Sequence, residues 1–437
     1  MNNQNEETVL TSNSQDLSMD DEVQGLDIQN KQNEGKGIFW NKILLKKQIS
    51  KVNFFAQLFH YAMMTFIFVS VEILQPELLS RNFGIEQENA GTQNSNIIMV
   101  DVGVKILFAP FFGIMADRFG RQKVLIYGII TVAIAIFFMP FSANLYPQYL
   151  LWRCFYAQGA ICIAVIPLMA DYIQDVSKGK AAALNVVMAS GGAVLSADLV
   201  TGVLSSDNID IKYSYMVVAI SYLILSLLYA IFLKSGLPIQ EEDNSLKIVR
   251  NPEQRTCTFM MKVGLEASQN PWILMGYITN LLARNDSILL SLYLIIWTYD
   301  KTGQENYDKA YIQGHTLAGI AYMSLFLFTI VYGILMEKIS KFYVMFVMLL
   351  LTALGGFMMI FADSPYDVYT YIVMVVLGSG MSGLQTASLY LIQKYAYKNY
   401  RGYITGLSGI FSVLGILICV LSGYLIDSVS DYKYGVK

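Results

Sequence analysis

The sequence predicts an all-α polytopic membrane protein built as two pseudo-symmetric helical bundles. Three observations carry that prediction: a composition shifted toward lipid, eleven apolar runs long enough to cross a bilayer, and a polar loop that occurs twice, 220 residues apart. Of the 437 residues, 55% are hydrophobic and 14% charged, with a mean hydropathy of +0.46. A soluble domain averages roughly 25% charged and 45–50% apolar residues, so an all-soluble fold is excluded. The 30 basic and 33 acidic residues give a net charge of -3. No basic run or aromatic-interleaved basic stripe offers a hold for nucleic acid. Cys154, Cys162 and Cys419 sit in apolar runs and Cys257 in a polar stretch, none at metal-ligand or redox spacing, and they read as small apolar side chains.

Residues 1–36 are rich in Asn, Gln, Ser and acids, with almost nothing apolar to bury, and read as a disordered cytoplasmic tail. They lack the basic start and apolar middle of a secretory signal, so the first membrane segment is expected to act as its own insertion signal. Residues 37–52 mix Phe39, Trp40, Ile43, Leu44 and Leu45 with Lys42, Lys46, Lys47 and Lys51, which suits a short basic helix on the membrane surface or an ordinary basic flank.

Crossing ~30 Å of hydrocarbon takes ~20 apolar residues. Runs of that kind lie at about 53–77, 96–117, 122–142, 147–171, 179–205 and 212–234, and again at about 271–298, 310–336, 341–363, 367–393 and 402–426. The first six form a bundle over 53–234. The polar stretch 235–270 is read as a cytoplasmic linker, and 271–437 hold a second bundle of which five helices are seen. With the N-terminus inside, nineteen Lys and Arg residues of the flanks and loops fall on the inner side and six on the outer, the distribution that keeps basic loops cytoplasmic.

The turn between the second and third runs reads Gly113-Ile-Met-Ala-Asp117-Arg118-Phe-Gly120-Arg121. Gly113 removes a side chain where two helices touch, and Gly120 permits a tight reversal. Asp117 can face the positive N-terminal end of a neighbouring helix. The turn between the eighth and ninth runs repeats the pattern as Gly333, Glu337, Lys338, Ser340 and Lys341 at the same offsets. The halves are therefore repeats.

This pattern resembles the signature loop of the major facilitator superfamily, G-x-x-x-D-R-x-G-R. The resemblance extends to the long linker, to Lys178-Gly179 and Arg401-Gly402 opening the fifth and eleventh helices, and to Asn270-Pro271 before the seventh. It departs in the fourth helix, where Arg153 precedes Gln158-Gly159 by five residues instead of the family's three. The resemblance implies two bundles of the major facilitator type with the first, fourth, seventh and tenth helices lining a central cavity. It further implies secondary transport by alternating access, with the two loop copies forming a gate. Asp117 is expected to meet the start of the eleventh helix near Tyr403 to Thr405, and Glu337 the start of the fifth near Lys180 to Ala182. The repeat places a twelfth helix near residue 432, so either the sequence is incomplete or that helix is lost, and in the second case a membrane partner covering the exposed groove is expected.

Charges at mid-membrane cost roughly 2.5–3.5 kcal/mol on insertion scales, so each is a candidate for function. Asn280, Arg284, Ser287 and Ser291 stack on one face of the seventh helix, and the resemblance points Arg284 into the aqueous path. Arg284, Asn280 and Ser287, with Gln385 and His60, are candidate substrate contacts. The alternative for each is a structural bond between helices. Asp101, Asp198 and Asp286 are candidates for proton coupling, against the reading that Asp101 forms an intrahelical pair with Lys105 four residues on. Arg153, beside Trp152 and Tyr149, is expected to snorkel to the interface.

His60 and His315 lie 255 residues apart and give no H-E-x-x-H site, and no phosphate-cradling glycine loop is present. Neither catalytic residues, a metal nor a cofactor is expected. The sequence thus points to a lipid-embedded carrier of a small polar solute, with an organic anion as one class. A transporter-like fold kept as a structural or accessory subunit is the alternative.

Overall fold

The computed structural model describes residues 37–38, 43–46, 48–85, 90–164, 166, 168–174, 177–199, 210–234, 257–283, 290, 293–302, 307–396 and 401–434. The tail 1–36, linker residues 235–256 and the stretch 284–289 lie outside them.

The basic segment before the first membrane helix is not a surface helix. It forms two short antiparallel strands, β1 (Gly37–Ile38) and β2 (Ile43–Leu44), and Leu45 makes a bridge to Ile173. The reason is the alternation of its apolar residues: Ile38, Ile43, Leu45 and Ile49 are all buried in the core of the first half, an arrangement a lipid-facing helix would not give. α1 (Lys51–Phe83) then opens on a reciprocal cap. The Asn53 N–H donates to the Ser50 hydroxyl at 3.1 Å, and the Ser50 N–H to the Asn53 side chain at 2.9 Å.

α2 (Ala90–Phe119) and α3 (Arg121–Phe138) are joined by Gly120 alone, at φ 94°. The expected run at 147–171 is divided into α4 (Leu150–Ala164) and α5 (Leu168–Tyr172) around the non-helical Ile166; Pro167 in that stretch has no N–H to donate. α6 (Lys178–Leu199) and α7 (Ile211–Phe232) complete the half.

Within the expected linker lies a helix, α8 (Cys257–Ala267). The described parts of the seventh run are α9 (Pro271–Ala283) and α10 (Leu294–Thr302), with 284–289 between them outside the described residues. α11 (Tyr307–Lys338), α12 (Lys341–Met359), α13 (Val368–Tyr395) and α14 (Arg401–Tyr434) follow. The turn before α12 needs no left-handed residue: Ser340 stands at φ -53°, which is why the second loop copy tolerates a serine where the first has glycine. α14 continues to Tyr434, through the position where the repeat predicts a new helix to begin. Its last turns contain no proline and, beyond Gly423, no glycine.

The all-helical architecture is as expected, but the count of eleven spans is not reproduced. Among the described residues eight helices are long and apolar enough to cross a membrane, and Pro271–Ala283 is a shorter apolar one. The expected runs not among the eight are those at 96–117, 147–171 and 271–298.

Helix pairing is set by glycines at which backbones nearly touch. A Cβ on Gly192 of α6 would stand 1.9 Å from the Ala62 carbonyl oxygen of α1, and one on Gly415 of α14 would stand 1.9 Å from the Leu281 oxygen of α9. The two sites differ by 281 − 62 = 219 and 415 − 192 = 223 residues. Gly159 against the Val132 N–H and Gly380 against the Thr352 N–H form a second such pair, at displacements of 221 and 220. The duplicated loop is therefore matched by duplicated packing. Across the halves, α6 lies against α11 and α13, and α2 against α14.

Candidate functional site

Two charged arrangements stand out, one at the loop end of the first half and one inside it. At the loop end, Gly120 reverses the chain so that Arg121 begins α3, and its guanidinium pairs with the carboxylate of Asp171 on α5. Gln122 donates to the Ala230 carbonyl of α7 at 2.9 Å. The signature loop is thereby held to two other helices of its own half. The side chains of Gly113, Asp117, Arg118 and Glu337 lie outside the described residues, so the expected Asp117 and Glu337 contacts do too.

The second copy is seated differently. A Cβ on Gly333 would lie 2.8 Å from that of Ala183 on α6, which brings the loop end of α11 beside the start of α6. Lys338 is exposed. The Lys341 ammonium sits 5.6 Å from the centroid of the Trp272 ring and 5.7 Å from that of Tyr395, rings that stack on each other at 5.9 Å. Leu391 occupies the position that the repeat assigns to Asp171.

Inside the first half, Asp101 of α2 is paired with Lys105 one turn on, and its Oδ1 lies 3.5 Å from Arg153 Nε on α4. The intrahelical pair was legible from spacing; the second base was not. Arg153 does not snorkel. It is only 2% exposed, with its guanidinium carbon 4.6 Å from the centroid of the Tyr156 ring. A carboxylate on the neighbouring helix and an aromatic face offset the desolvation that would otherwise drive it to the interface. Next to this cluster, Gln75 donates to Asn94 at 2.7 Å and accepts from Tyr149 at 3.3 Å. In the second half the repeat places Ala321, Leu325 and Val373 at the corresponding positions, all buried. Among the described residues, the ion cluster exists in one half only.

The remaining candidates are dispersed. His60 is buried with its ring edge-on to Tyr229 of α7 at 5.1 Å. Asn280 donates to both the carbonyl and the hydroxyl oxygen of Ser408 on α14 at 2.8 Å, so its amide joins two helices of one half. Gln385 is half-buried on α13. Asp198 is exposed at the seam between halves, with its Oδ1 3.7 Å from where a Cβ on Gly319 of α11 would stand. Arg284, Asp286 and Ser287 lie outside the described residues. On the side away from the loops, Ser95 of α2 and Tyr293, just before α10, share a hydrogen bond of 3.2 Å across the halves. Sequence reasoning missed that contact, which has no local signal.

A family model described as Major Facilitator Superfamily matches residues 54–420. Among curated proteins, the magnetosome protein MamH of Paramagnetospirillum magneticum is 22% identical over 374 residues, 82% of this chain and 83% of that one. The class H tetracycline resistance protein of Pasteurella multocida is 21% identical over 355 residues, 78% of this chain and 82% of that one. Among solved structures, the human organic anion transporter TETRAN has a TM-score of 0.65 at 14% identity, covering 86% of this chain and 94% of that one. The proton:xylose symporter XylE has a TM-score of 0.64 at 15% identity, covering 87% and 89%. At such identities the structural likeness is one of fold.

Proposed function

The chain belongs to the Major Facilitator Superfamily, and on that premise we propose that it is a secondary transporter moving a small polar solute across a membrane by alternating access of its two bundles. The N-terminus lies on the cytoplasmic side, as the distribution of Lys and Arg argues. The observation that supports coupling is the Asp101–Lys105–Arg153 cluster, whose counterparts in the other half, Ala321, Leu325 and Val373, are apolar. The carboxylate ties α2 to α4 through Arg153, and breaking that tie frees a base for water or an anionic solute. Arg284 supplies a planar fork of donors suited to a carboxylate or phosphate, and an organic anion is the solute class this favours.

Reconstituted into liposomes, the protein should take up labelled carboxylates or organic phosphates above empty vesicles. Asp101→Asn should lose uptake driven by a pH gradient while retaining solute exchange. Arg284→Lys should weaken an anionic solute and leave expression intact; unchanged affinity for a neutral solute, with no anion transported, would sink the anion assignment. A non-transporting accessory subunit is the second reading, motivated by the likeness to a magnetosome protein. Silence across sugar, nucleoside, zwitterion and anion panels, with a stable partner co-purifying, would favour it.

A further inference from the structure

We infer that residues 43–49 form a strap that positions the Arg121–Asp171 ion pair, so that the setting of the first signature loop depends on the segment preceding the first membrane helix. The inference rests on the alternating-access reading above.

Asp171 stands on α5, a helix of five residues cut off from α4 by the non-helical Ile166. So short a helix does not hold itself in water or fix its own direction. What fixes it comes from elsewhere in the chain. The Lys46 N–H donates to the Tyr172 carbonyl at 3.0 Å, and the Gln174 N–H donates to the Leu44 carbonyl at 3.0 Å. The Gln174 side chain donates to the Leu45 carbonyl at 3.1 Å, and the Leu44 N–H to the Ser177 hydroxyl at 3.0 Å. The strap thus satisfies the backbone groups that follow α5, as an added strand would. The strap's own Leu45 and Ile49 are buried in the main core.

The same residue is gripped on its other side. The Tyr172 hydroxyl donates to the Lys234 carbonyl at 2.8 Å and accepts from the Lys234 N–H at 2.9 Å, while Lys234 Nζ donates to the Gln48 carbonyl at 3.3 Å. Tyr172 is therefore held between the strap and the end of α7, and Asp171 precedes it directly. From Asp171 the constraint passes to Arg121 at the start of α3, one residue beyond the Gly120 reversal.

The second half supplies the contrast. There α13 is continuous from Val368 to Tyr395, the counterpart of Asp171 is Leu391, and Lys341 rests on two rings. A continuous helix positions its own end, so that copy of the loop needs no strap. Among the described residues, only the first loop is reached by such a strap.

The test uses the full chain in lipid nanodiscs, with the four native cysteines replaced and spin labels at Lys123 and Ile339, exposed positions beside the two loops. Lys46→Pro removes the N–H that reaches Tyr172, whereas Lys46→Ala keeps it. Lys46→Pro and Asp171→Asn should each shift the distance distribution toward longer separations, with a several-fold rise in the open population. The double variant should go no further than Asp171→Asn alone, and Lys46→Ala should match the parent. If Lys46→Pro fails to accumulate, Ser177→Ala, which removes the acceptor of the Leu44 N–H, should give a smaller shift in the same direction. A shift with Asp171→Asn but none with the strap variants, or strap and Asp171 effects that add, overturns the strap alone. A distribution that Asp171→Asn also leaves unmoved overturns the strap together with the gate reading beneath it.

Discussion

A guanidinium enclosed among membrane helices persists only where its neighbours replace water, and Arg153 has a carboxylate and an aromatic face to do so. Removing one partner strands the other. A buried ion left alone costs about 3–5 kcal/mol, while replacing both ions by apolar groups is often neutral. Asp101→Leu should therefore lower the thermal unfolding midpoint in detergent markedly, and Asp101→Leu with Arg153→Met should recover much of the loss. Additive losses would show that the two side chains do not act as a unit. The Asp101–Lys105 half of this cluster was readable because i, i+4 spacing is a local rule. Arg153 was misread because its fate depends on which helix faces it, and nothing within a few residues of position 153 encodes the proximity of Asp101. The loop glycine was readable for the converse reason: the reversal at Gly120 is a backbone requirement confined to one residue, and its φ of 94° meets it.

At the scale of the helix, the glycine contacts act as paired rivets, one set in each half. Gly192→Ala and Gly415→Ala each drive a methyl group into a carbonyl oxygen of the facing helix, and overpacking of this kind costs about 1–3 kcal/mol or more. Both substitutions should reduce the fraction of monodisperse protein on size exclusion after heating. Gly356→Ala, where a Cβ meets nothing within 4 Å, should be neutral or mildly stabilising, since alanine favours a helix by about 1 kcal/mol over glycine. Equal damage from all three would remove the packing explanation. Helix positions followed from apolar run length because lipid imposes that length on every span. Their interruptions did not. A window of hydropathy averages across Pro167 and does not see the break at Ile166. The strap was missed for a related reason: a basic, aromatic stretch before a first membrane helix has the composition of an interfacial helix, and only the buried alternation of Ile43, Leu45 and Ile49 reveals a strand-like segment.

The whole molecule is two repeats joined along crossed seams, α6 on α11 and α2 on α14. If the loop ends must part during each cycle, a covalent link across one seam should arrest it. A Cβ on Gly333 would stand 2.8 Å from that of Ala183, so the helices need part by only about 1 Å to reach the 3.5–4.5 Å of a disulfide between introduced cysteines. Ala183→Cys with Gly333→Cys should lose net transport on oxidation and regain it on reduction, measured as solute uptake in the same vesicles; uptake indifferent to oxidation, with the bond confirmed by mass, would rule out motion at that seam. A different freedom follows from the seat of α8. Its Gly264 carbonyl accepts from Tyr277 at 3.2 Å, Gly264 abuts Leu407 of α14, and Phe259 meets Tyr403 edge-on at 5.5 Å. α8 consequently rides with the second half, and the covalent tie between halves reduces to the 22 residues 235–256. A chain of that length reaches about 73–79 Å when extended, over twice the roughly 30 Å depth of hydrocarbon. A tether of that reach is long enough to constrain neither half, and two fragments divided within 235–256 and produced together in one cell should find each other through their seams and work as the intact chain does.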